Sequence, residues 1–236
     1  DVAMQLIGQM FDSSLTTVKS RVTIVAATSG DTGSAAMSAF SESKYADIFV
    51  LFPNGRISEV QRRQMTTIGR PNIHPIAVNG DFDECQSLVK QMFNDFKFRD
   101  QVRLTGVNSI NWARVMCQTA YYFYSAIALG ALKEKVCFSV PTGNFGDIFA
   151  GYVAKKMGLP IDKLVIATNE NDILHRVLET GVYEKKVLRQ TMSPSMDIQV
   201  ASNFERIIFD ICDRNSNQVI HLMEKLTRDG KFILSP

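Results

Sequence analysis

Apolar positions recur along this chain with two periods, and the periods alternate. Val2, Leu6, Ile7, Met10 and Phe11 repeat at helical spacing. Arg21 to Thr28 is a continuous β-branched run and predicts a buried strand; the Ala- and Ser-rich stretch Thr32 to Phe40 predicts a helix packed closely on a sheet. Further strands are predicted at Asp47–Phe52, His74–Val78, Lys135–Val140 and Leu164–Thr168. Helices are predicted at Ser58–Thr67, Asp81–Asp95, Ile110–Leu129 (apolar almost all round), Asn144–Lys156, Asp172–Glu179, Asn203–Cys212 and Asn217–Arg228. Thr191–Val200 reads as a loop. Strands that alternate with helices imply a mainly parallel sheet with right-handed crossovers, an α/β fold. The unbroken apolar strands imply a sheet covered on both faces.

Composition narrows the function classes. The 236 residues are 45% hydrophobic and 21% charged, ordinary for a folded globular chain. Lys and Arg number 26 against 24 Asp and Glu, a net charge of +2, which argues against a dedicated nucleic-acid binder. No run reaches the roughly 20 apolar residues of a membrane-spanning helix, and no signal peptide is visible at Asp1. Cys85, Cys117, Cys137 and Cys212 form no CxxC pair and read as buried, reduced thiols, Cys137 as an inert one in its strand. Both ends read as cut from something longer.

Chemistry concentrates in three junctions. Thr28-Ser29-Gly30-Asp31-Thr32-Gly33 follows a strand and opens a helix. Its glycines permit a sharp turn, and N–H groups and hydroxyls at a helix start favour an anion. An ordinary tight turn capped by Asp31 or Thr32 fits the pattern too. Pro141-Thr142-Gly143-Asn144-Phe145-Gly146-Asp147 has the same design after the strand at 135–140. It lacks the Lys-Ser/Thr of a nucleoside-triphosphate loop and is not GxGxxG, so a non-nucleotide phosphate is preferred, with a plain glycine-rich connection as the alternative. In Asn108-Ser109-Ile110-Asn111-Trp112-Ala113-Arg114, an arginine sits at a helix start, against the helix dipole. An anionic ligand would compensate, and arginine suits bidentate phosphate recognition. The alternative is a surface arginine with Ser109 as a cap.

In this order and spacing, ATSGDTG (27–33), NSINWAR (108–114) and PTGNFGD (141–147) resemble the threonine synthase family, as do PNGRISEVQ (53–61), NGDFDECQ (79–86), ATNENDIL (167–174) and TMSPSMDI (191–198). The resemblance covers essentially the whole chain. It implies a three-layer αβα fold of the tryptophan synthase β-subunit type (fold type II), with two subdomains at 1–110 and 111–236. It implies pyridoxal 5′-phosphate as cofactor and the conversion of the small molecule O-phosphohomoserine, with water, to L-threonine and phosphate. Gly143, Asn144, Phe145, Gly146 and Asp147 match the loop that holds the cofactor phosphate. Ser29, Asp31 and Thr32 match the loop beside the cofactor ring, which takes the substrate carboxylate; Asp31 faces the cofactor. Asn108, Ser109 and Arg114 match the residues that bind the substrate phosphate. A cytoplasmic monomer or homodimer, with no nucleic-acid or membrane partner, is expected.

Two departures accompany the resemblance. The lysine that carries the cofactor is expected immediately before Asp1, so no lysine of the chain is assigned that role. The polar group that pairs with the pyridine nitrogen is expected beyond Pro236. The rival readings are another fold-type-II enzyme, such as a threonine dehydratase or cysteine synthase relative, and an inactive phosphometabolite-binding relative. No metal site is expected, because His74, His175 and His221 lack ligand spacing. Trp112, the aromatics at 121–124 and the ten methionines are expected to pack in the core.

Overall fold

The structure, a computed structural model, describes every residue except Asp1, Ser29, Leu132, Lys133, Ser235 and Pro236, together with the side chain of Asp83. The chain forms two compact units, Asp1–Cys117 and Gln118–Pro236.

The first unit runs α1 (Val2–Val18), β1 (Val22–Ala27), α2 (Asp31–Phe40), β2 (Ala46–Pro53), α3 (Glu59–Thr66), β3 (Ile73–Val78), α4 (Phe82–Asn94), α5 (Phe96–Gln101), β4 (Leu104–Thr105) and the start of α6 (Trp112–Ala128). Its sheet has the order β3-β2-β1-β4, and every pair is parallel. Right-handed crossovers put α2 and α3 on one face and α4 on the other. The side chains agree. Val25 and Leu51 pack with Cys85 and Leu104, against Val89, Met92 and Phe93. On the opposite face α2 lies so close that a Cβ on Gly33 would come within 2.7 Å of Val50. Buried Met4 and Ile7 of α1 and Met37 and Phe40 of α2 form the outer layer, and Phe11 meets Phe40 edge to face at 5.6 Å. Gly8 permits that packing, since a Cβ there would lie 2.7 Å from the Ala39 carbonyl oxygen.

Two helix starts carry the sequence signature of a capping box. Ser58 Oγ accepts from Gln61 N–H while the Gln61 side chain accepts from Ser58 N–H, and Asp81 and Glu84 do the same for α4. Buried Asn72 donates from Nδ2 to the carbonyls of Phe40 and Ala46, tying the end of α2 to the start of β2.

The second unit runs β5 (Val136–Pro141), α7 (Gly146–Lys156), β6 (Ile161–Ala167), α8 (Ile173–Thr180), β7 (Val182–Glu184), a 3₁₀ turn at Pro194–Met196, α9 (Phe204–Ile211), α10 (Ser216–Asp229) and β8 (Lys231–Ile233). β5 and β6 are parallel, whereas β7 and β8 form an antiparallel pair. Its core stacks Tyr183 between Phe204 and Phe232, with ring centroids 5.0 Å apart on each side.

Several expectations are corrected here. β5 alternates between covered and uncovered positions, so Cys137 is exposed rather than a buried thiol. A strand paired on one edge, with one face uncovered, buries only every second residue. The aromatic stretch on α6 follows the helical period instead of burying all round: Tyr122 is buried, Tyr124 is 77% exposed and Trp112 is 49% exposed. Of the methionines, Met4, Met37 and Met65 fill the core, while Met10, Met116, Met157 and Met192 are exposed. The helix expected from Asn144 begins at Gly146, because Phe145 takes a left-handed conformation as its N-cap.

Candidate functional site

In a parallel sheet of order β3-β2-β1-β4, the direction in which successive strands are added reverses between β1 and β4. Ligands of doubly wound sheets bind at that switch point, beyond the carboxyl ends of the strands. The loops after β1 and after β4 are two of the three chemically dense junctions.

The first loop is built by Thr28, which is buried. Its Oγ1 accepts from Gly30 N–H and Gly33 N–H, both at 2.9 Å. Thr28 therefore does the capping that the sequence alternative gave to Asp31 or Thr32. Gly30 has φ +141°, and a Cβ there would lie 2.2–2.5 Å from the Gln61 amide, so glycine is required. Asp31 Oδ1 accepts from Gln61 Nε2 at 2.9 Å. Gln61 is oriented by its other end, since its Oε1 already accepts from Ser58 N–H at 3.1 Å. A fixed amide donor thus faces a carboxylate acceptor. Ser29 lies outside the described residues.

Thr32 is joined to the second junction. Arg114 Nη1 donates to Thr32 Oγ1 at 3.2 Å, bringing the first turn of α6 to the first turn of α2. The α6 start is fixed by Asn111, whose Oδ1 accepts from Ala113 N–H at 2.9 Å and whose Nδ2 donates to the Gly106 carbonyl at 3.2 Å. Asn108 and Ser109 lie on the intervening loop, with the Asn108 carbonyl accepting from Asn111 N–H at 3.1 Å. Asp31, Thr32, Asn108, Ser109 and Arg114 are thus carried by the two loops that leave β1 and β4 and by the first turns of the helices that follow them. A guanidinium and a hydroxyl meeting at two helix starts suit an anion.

The third junction lies in the second unit. Thr142 leaves β5 with its N–H on the Ala167 carbonyl at 2.8 Å. At Gly143 a Cβ would come 2.9 Å from the Ser195 carbonyl oxygen, so the 3₁₀ turn packs directly on the glycine. The Asn144 carbonyl accepts twice from Asn203, from N–H at 3.0 Å and from Nδ2 at 3.1 Å. Ser202 Oγ donates to Asn144 Oδ1 at 3.2 Å. Phe145 sits at φ +64°, ψ +11°, which costs a residue with a Cβ on the order of 1 kcal/mol. Its ring is held edge to face by Phe204 at 5.2 Å, and its carbonyl accepts from Phe149 N–H. Phe145, the N-cap residue, makes no side-chain capping hydrogen bond to α7. Tyr122 donates its hydroxyl to the Asp147 carbonyl at 2.8 Å; burial, reinforced by the nearby Asp147 charge, pushes its phenol well above the ordinary range, so it stays a neutral donor.

The sequence profile of the pyridoxal-phosphate dependent enzymes matches residues 3–230. The chain belongs to this family. It is 54% identical to the threonine synthase of Pseudomonas aeruginosa over 232 residues, 98% of this chain and 50% of that protein. The crystal structure of a PLP-bound threonine synthase from Brucella melitensis superposes with a TM-score of 0.93 at 58% identity, covering 100% of this chain and 51% of that one. A cysteine synthase from Entamoeba histolytica shares the fold alone, at 13% identity and a TM-score of 0.64 over 85% of this chain and 56% of that one. The chain therefore spans about half the length of the relatives it matches.

Three supporting groups of this family member escaped the sequence reading. Gln61 closes the PNGRISEVQ segment and the Ser58-x-x-Gln61 capping pattern, but neither gives it a role beside Asp31. Asn203 and the network around Asp197 lie within or beside stretches that carried the resemblance, but nothing local gives them a role. Asp197 accepts from Thr191 N–H and Oγ1 and from the side chains of Asn169 and Asn171, at 2.7–3.1 Å. That network fastens the segment whose 3₁₀ turn covers Gly143.

Proposed function

We propose that this chain is part of a threonine synthase, which converts O-phosphohomoserine and water to L-threonine and phosphate with pyridoxal 5′-phosphate. The observation that carries the reading is the likeness to threonine synthases along nearly the whole chain. The Arg114–Thr32 contact supports it, because a substrate phosphate needs a cationic subsite that a threonine dehydratase or cysteine synthase does not.

Gly143, Asn144, Phe145, Gly146 and Asp147 would hold the cofactor phosphate, mainly through N–H groups at the start of α7. The fit is supported by the left-handed Phe145, which as N-cap makes no side-chain capping hydrogen bond, and by the close packing at Gly143. When bound, the cofactor supplies an electron sink for carbanions formed on the substrate. Ser29 and Thr32 would receive the substrate carboxylate. Asp31, aimed by Gln61, would face the cofactor ring. Asn108, Ser109 and Arg114 would bind the substrate phosphate and stabilise the charge that grows on it as it leaves Cγ. We place the enzyme in the cytoplasm, supported by four free cysteines, which suit a reducing compartment. No described helix is long and apolar enough to cross a membrane.

The test is substrate choice by the full-length protein. Threonine formed from O-phosphohomoserine, without comparable turnover of threonine or O-acetylserine, is the expected result. Preferred turnover of either of those, or none of O-phosphohomoserine, would sink the reading.

A further inference from the structure

We propose that Asn203, at the start of α9, is a positioning residue that sets the direction of the Asn144–Phe145 peptide and so aims the Phe145 N–H at the cofactor phosphate. The inference rests on the phosphate-loop role proposed above.

In a planar trans peptide the carbonyl of one residue and the N–H of the next point in opposite directions. The Asn144 carbonyl is drawn toward α9 by two donors of one residue, Asn203 N–H at 3.0 Å and Nδ2 at 3.1 Å. The Phe145 N–H is therefore directed away from α9. Asn203 is fully buried, and its amide has a defined orientation because Oδ1 accepts from Arg206 Nε at 3.0 Å, leaving Nδ2 to donate.

Backbone strain makes this control necessary. Phe145, at φ +64°, is held in a region that residues with a Cβ avoid. Rotating the Asn144–Phe145 peptide changes ψ of Asn144 and φ of Phe145 together, so the rotation that relieves Phe145 is the one that turns its N–H around. Strain of this kind persists only where the surroundings over-determine it. Here Asn203, Ser202 and the Phe204 ring, three consecutive residues, hold Asn144 and Phe145. Of these, Asn203 acts on the rotating peptide itself.

The experiment titrates the full-length apoprotein with PLP and with pyridoxal, which has the same ring and aldehyde and no phosphate, following cofactor absorbance. Asn203→Asp keeps the shape but sets an acceptor against the Asn144 carbonyl. We expect PLP affinity to fall about tenfold or more, the effect of losing a buried hydrogen bond, with pyridoxal affinity changed less than about twofold. Asn203→Ala is measured in parallel and reads the same ratio should the aspartate variant fail to fold. Equal loss of both ligands would make Asn203 a merely structural residue and overturn the proposal, as would an unchanged PLP preference. A wild-type protein with no preference for PLP over pyridoxal would instead overturn the phosphate-loop reading on which it depends.

Discussion

Arg114 illustrates how a single residue changes meaning between sequence and structure. Along the sequence it is a cation at the wrong end of a helix; in the fold its guanidinium meets Thr32 across the switch point of the sheet. If it stabilises phosphate departure, Arg114→Ala in the full-length enzyme lowers turnover roughly 10²-fold or more, by analogy with other charge-stabilising donors. Steady-state phosphate release measures this, and turnover within a few-fold of wild type would remove Arg114 from the role. The glycines and hydroxyls of the two loops were legible because their chemistry is local. Phe145 was not: a phenylalanine carries no signal for φ +64°, and the conformation is imposed by α9, about sixty residues on in sequence. Asn203 was hidden for the same reason, since a buried asparagine is recognisable only by its partners. Cys137 shows the reverse error, an apolar run read as burial where the strand leaves alternate positions uncovered.

At the scale of elements, helices with a clear period and a capping box were placed within a residue or two. Short elements were missed: α5, the two-residue β4 and the β7–β8 pair are too brief for periodicity to register, and each strand exists only through its partner. Two devices that fasten elements can be tested. Asn72→Ala removes a buried amide that donates to the Phe40 and Ala46 carbonyls and is expected to cost about 1–3 kcal/mol, read from the denaturant midpoint; an unchanged midpoint would show that the tie is dispensable. At the start of α3, Arg62 and then Arg63 hold the Glu59 carboxyl down, from 4.5 to about 2. A depressed acid contributes stability above its unfolded value and loses it as pH falls through the folded one. The stability advantage of wild type over Glu59→Gln should therefore be present above pH 4.5 and vanish as pH approaches about 2. Because the pair is exposed, the advantage is small and shrinks in high salt. An advantage constant across that range would contradict the assignment.

At the scale of the molecule, the order of strands and helices was enough to reach a parallel α/β fold. The ordered loops were enough to reach the pyridoxal-phosphate dependent family, to which the chain belongs. The proposed function is a chemical claim: the full-length enzyme would break the Cγ–oxygen bond of O-phosphohomoserine and add water at Cβ. The most direct test runs the full-length enzyme in ¹⁸O-water and follows both products by mass spectrometry. The account predicts one phosphate per threonine, with the heavy oxygen in the threonine hydroxyl and none in the phosphate. Label in the phosphate, with homoserine as the partner product, would mean cleavage at phosphorus and would contradict the account.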